Sequence, residues 1–121
     1  VNAPTPDEVR ALIAPFDALD RRVTGGVITL LMRDPERVRD QEWLAERFVE
    51  VAVVAHGFPE DGTATTEDVE VVRTYAESRR RPILNAAIAL FVRTAVELTA
   101  AGEPPTHERA HEVIRSYLGD A

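Results

Sequence analysis

From Ile83 to Ala101 the chain is apolar on almost every face of a helix, interrupted mainly by Asn85, Arg93 and Glu97. A helix that is apolar all round has to be buried. A chain of 121 residues has room for one hydrophobic core, so this helix claims its centre and the other elements must be laid around it. The expectation is a single domain over residues 1–121: an all-α, compact bundle of five or six helices around about residues 83–101, with no sheet.

The flanking segments share the helical period. Val9, Leu12, Ile13, Phe16, Leu19 and Val23 recur at spacings of three and four, which places them on one stripe. The stripe passes through Pro15, so residues 7–22 read as one kinked helix or two abutting ones. Gly25 and Gly26 are expected to break the chain before a short apolar segment, Val27 to Arg33. Its β-branched residues would suit a strand, but no second strand exists to pair with it, and it reads as helix. Asp34, Pro35 and Glu36 form a helix start, and that helix is expected to run to His56 and end at Gly57. Val49, Val51, Val53 and Val54 make its last two turns apolar nearly all round, which predicts a buried end.

Residues 58–65 (FPEDGTAT) read as a loop, and Thr66 precedes a helix that opens with Glu67 and Asp68. Whether this helix continues, kinked, through Pro82 or turns near Arg80 bears on function, because it decides which ends of the bundle meet. The continuous reading is preferred: the stretch SRRRP lacks glycine, and a new helix would begin with three arginines at its own positive dipole end. Pro104 and Pro105 form a linker, and His107 to Leu118 is the last helix.

Composition narrows the function classes. The net charge of −7 makes nucleic acid an improbable partner. The absence of cysteine excludes disulfides, thiol nucleophiles and Cys-ligated metals. Lysine is absent while arginine and alanine are abundant, as in a high-GC genome. No targeting segment is visible in the opening VNAPTPDE, and the apolar run of residues 83–92 falls short of the ~20 residues that span a bilayer. The expectation is a soluble, cytoplasmic protein without a membrane partner.

Few constellations carry chemistry. His107, Glu108, Arg109, Ala110 and His111 fit H-E-x-x-H. This pentapeptide resembles the zinc-binding helix of zincin metalloproteases, and the resemblance implies His107 and His111 as metal ligands with Glu108 activating a zinc-bound water. The resemblance covers five residues, sits in a first turn behind Pro105, and lacks an evident third ligand. The expected state is therefore a solvated helix start with no zinc or other cofactor. His56 reads as a helix C-terminal residue bonded to the last carbonyls. The Arg79, Arg80, Arg81 cluster reads as a solvated face paired with acids of a neighbouring helix, and Asp17 and Asp20 as solubilising surface. Asn85, inside the apolar run, is expected to be buried, either bonding backbone freed by Pro82 or orienting a small ligand in an apolar pocket.

These features lean away from an enzyme. The leading expectation is a non-catalytic regulatory or protein-interaction domain acting as a homodimer. The alternatives are a small-molecule-binding domain with a pocket near Asn85, and a metal-dependent hydrolase using residues 107–111.

Overall fold

The computed structural model describes residues 3–58, 65–102 and 107–119. Helix α1 (Pro6–Ile13) begins at a capping box: the Thr5 hydroxyl accepts from the Glu8 amide, and the Glu8 carboxylate accepts from the Thr5 amide. Pro15 lies in the turn that follows, and α2 (Ala18–Arg33) starts at a second capping box between Asp17 and Asp20. The chain therefore adopts two helices here, not one kinked helix.

The expected break at Gly25 and Gly26 does not occur, because α2 runs through both to Arg33. A Cβ built on Gly26 would lie 2.5 Å from Val51 Cγ1 of the neighbouring helix. Glycine at this position permits close approach of two helices. The contact outweighs the ~1 kcal/mol by which an interior glycine disfavours a helix.

The helix expected from Asp34 to His56 is also divided. Pro35–Arg39 forms a 3-10 turn, and α3 (Gln41–Ala55) starts afresh at Asp40, whose carboxylate accepts from the Trp43 amide at 3.0 Å. Arg37 holds the same carboxylate at 2.8 Å, so one side chain serves the turn and the helix start together.

Helix α4 (Thr66–Ala100) is 35 residues long and continues through Pro82, as preferred from the sequence. Its cap is Thr65, one residue earlier than expected. At 1.5 Å per residue it spans roughly 50 Å. The other four helices pack on it: α1, α2, α3 and α5 (His107–Leu118) all contact α4. Among the described residues there is no strand, and the architecture is an all-α bundle around one long helix. Ile83, Leu84, Ala86, Ala87 and Leu90 join Val23, Val27, Ile28, Leu31, Leu44 and Phe48 in the core.

By length and composition α4 is apolar enough to cross a membrane, with a mean hydropathy of 1.5 over its most apolar 18 residues. In this fold 39% of that stretch is buried, and those buried residues join the core. Charged residues of α4 are engaged as well: Arg93 pairs with Glu97 at 3.2 Å, and Glu97 accepts from the Tyr117 hydroxyl at 2.9 Å.

Asp20 departs furthest from expectation. It is not solvated surface but 4% exposed, accepting from the Tyr75 hydroxyl at 2.7 Å and from Arg79 Nη2 at 2.8 Å and Nε at 3.3 Å. Burial alone would raise its pKa, but the hydrogen bonds from Tyr75 and Arg79, with the guanidinium charge, outweigh burial and hold it below the usual carboxylate range. Tyr75 is pushed in the opposite direction, first by desolvation and then by its bond to the carboxylate.

Stability measurements check this account. Asp20→Ala leaves Arg79 without its buried partner and should cost about 3 kcal/mol in denaturant unfolding. Because the folded Asp20 pKa is lowered, its contribution is present above the unfolded value near 4 and disappears as pH falls below it. The wild type should lose stability on acidification below about pH 4 more steeply than Asp20→Ala. Separately, Gly26→Ala should destabilise by about 1–3 kcal/mol through overpacking. Gly25→Ala, whose Cβ would meet only Leu118 Cδ1 at an ordinary 3.6 Å, should raise the melting temperature.

Candidate interaction surface

Helix α3 buries Leu44, Phe48 and Ala52 against the core, a spacing of four that uses up one face. Its remaining valines are not enclosed, contrary to the buried end expected. Val49 is 41% exposed and Val54 58% exposed, while Val51 and Val53 are half-buried. The helices on either side leave an open groove along each flank. Toward α4 lies a groove of about 590 Å³ walled by Val49, Val53, Phe58, Val69 and Val72. Toward α2 lies a second, of about 530 Å³, walled by Gly26, Leu30, Val51, Val54 and Ala55. Val69, on the α4 side, is itself 47% exposed. The two grooves and the ridge of α3 between them make one apolar face.

Charged side chains edge this face in balanced numbers. Arg22 and Glu50 border the α2 groove; Asp68, Glu77, Arg73 and Arg80 border the α4 groove. Three acids thus stand against three arginines in a chain whose overall charge is −7.

The residues singled out from the sequence fall elsewhere. His56 caps α3 as expected: its Nδ1 lies 2.6 Å from the Ala52 carbonyl oxygen, and its ring stacks on Phe58 and meets Tyr75 edge-on. Arg79 is paired with an acid of the neighbouring helix, Asp20, and lies over the Phe16 ring. Arg80 and Arg81 are exposed. Asn85 is exposed, not buried, and lines none of the grooves described. The helix phase explains it: residues 83, 84, 86, 87 and 90 occupy the inward arc, and position 85 turns outward between them. The side chain is thus placed on the surface and not among the buried residues where the sequence reading put it.

His107 opens α5, and its side chain lies outside the described residues. His111, one turn on, is half-buried and faces the groove between α2 and α5 together with Arg21, Arg22 and Arg115. A divalent cation in that groove would lie among three arginines, while His111 also borders a second cavity with Glu108, Glu112 and Arg115. Glu112 is drawn to Arg109 at 2.7 Å, and among the described residues no group of three His, Asp or Glu side chains is placed to hold a metal ion. His56 lies against Phe58 and Tyr75, and His111 borders the α2–α5 groove.

No family model matches the chain, and neither the curated proteins nor the solved structures compared with it give a match.

Elemental analysis of the purified protein should find no stoichiometric zinc. One equivalent of zinc that disappears in His111→Ala would contradict this and restore the hydrolase reading.

Proposed function

We propose that this chain is a non-catalytic interaction domain of the cytoplasm that acts as a homodimer through the apolar face of α3. The observation that carries the reading is the exposure of Val49, Val54 and Val69 beside two apolar grooves. Contiguous apolar surface of this kind is costly to leave in water and marks contact sites.

A second copy of the chain suits the face better than a partner of uniform charge. A strongly basic partner would be attracted by the chain's −7, yet the rim of this face offers it three arginines as well as three acids. A copy brings the same balanced set of three acids and three arginines, so two such rims meet without net charge repulsion. Twofold homo-oligomers are also the commonest assemblies.

Light scattering and solution X-ray scattering test the proposal together. The expected mass is twice 13.4 kDa. A compact monomer of this length would instead have a radius of gyration of about 13.6 Å. Val54→Glu and Val69→Glu, at positions already exposed in one subunit, should leave the helical dichroism intact and return the mass to that of a monomer. A wild-type monomer at micromolar concentration, or a dimer unaffected by both substitutions, would refute it.

A further inference from the structure

The groove between α2 and α5 lies apart from the α3–α4 groove, adjoins the α2–α3 groove at Arg22 and Thr29, and is more polar than either. It measures about 360 Å³, and Arg21, Arg22, His111 and Arg115 all line it, with no carboxylate among its described lining residues. This concentration of positive charge stands out in a chain of net charge −7. The Arg21 Nε is buried and has no hydrogen-bond partner, while its Nη1 lies 3.9 Å from where a Cβ on Gly119, at the groove's edge, would stand. His111 and Arg115, on the opposite wall, are each held by further contacts.

A second, independent observation concerns the groove floor. Gly25 lies in the interior of α2 at ordinary helical geometry, with no positive φ. Unlike Gly26, it is not required by packing, since a Cβ there would touch only Leu118 at 3.6 Å. An interior glycine weakens a helix, and alanine would fit. What glycine preserves at this position is depth in the groove.

We infer that the α2–α5 groove binds a small ligand through a phosphate group. Guanidinium groups converging on one concavity match an oxyanion with charge-assisted hydrogen bonds. The volume is at the low end for small-molecule sites, which suits inorganic phosphate or a small phosphate monoester. A polyanion such as nucleic acid would meet the acidic remainder of the surface. Arg22 is shared with the rim of the proposed dimer face, whereas Arg21, His111 and Arg115 are not.

The test is a titration of isotope-labelled protein with inorganic phosphate, followed by amide NMR at constant ionic strength maintained with chloride, and a parallel titration with succinate. Saturable shifts confined to residues 21–29 and 111–119 are expected, with a Kd on the order of 1 mM and weaker succinate binding. Arg21→Gln and Arg115→Gln should each weaken phosphate about tenfold, as loss of one charged contact implies. If Arg21→Gln fails to fold, the exposed Arg115 carries the test. Gly25→Ala should melt at a higher temperature while binding phosphate several-fold more weakly. Shifts no greater than those from chloride, binding unchanged in the arginine variants, or equal affinity for succinate would overturn the assignment.

Discussion

The buried carboxylate of Asp20 is where the bundle is fastened. It closes the capping box that starts α2, and it accepts from Tyr75 and Arg79 on α4. Each of those partners reaches another element. Tyr75 stacks on Phe48 of α3 with ring centroids 6.2 Å apart, and Arg79 covers Phe16 in the turn between α1 and α2. A charge taken out of water is tolerated only when its hydrogen-bonding capacity is filled. Those requirements fix the rotation of α4 relative to α2, and hence which residues of α4 face the core.

The large features of this arrangement were legible because they rest on periodicity and caps. The apolar run after Pro82 demanded a central helix, and the absence of a partner for residues 27–31 excluded a sheet. What the sequence hid was contact between distant residues. Asp20 looks like surface because its partners are more than fifty residues away. The Asp17-x-x-Asp20 spacing did hold a readable signal, a capping box that starts a helix at residue 18. Gly26 was misread because a glycine that breaks a helix and one that admits a neighbour look alike until Val51 is in place. The α2–α5 groove was invisible for the same reason, its two walls being some ninety residues apart in the chain.

The valines of α3 show the limit of reading burial from composition. A helix rich in apolar residues signals that cover is needed without saying which molecule supplies it. Here α2 and α4 supply it on one side, and the close approach at Gly26 draws α2 toward α3. Val49 and Val54 still face outward. The chain's own helices therefore cover only part of the apolar surface of α3.

Pro82 has a consequence for how the molecule breathes. Proline has no amide hydrogen, so the Ser78 carbonyl lacks its usual donor and the hydrogen-bond ladder of α4 is interrupted at one rung. Before that rung, α4 is tied to α2 and α3 through Tyr75 and Arg79; beyond it, Arg93 reaches the Pro4 carbonyl and Glu97 holds Tyr117 of α5. The rung thus falls between two sets of tertiary partners. The buried core nevertheless runs from Val72 to Leu90 across the rung, so packed side chains hold α4 together where its backbone ladder is interrupted.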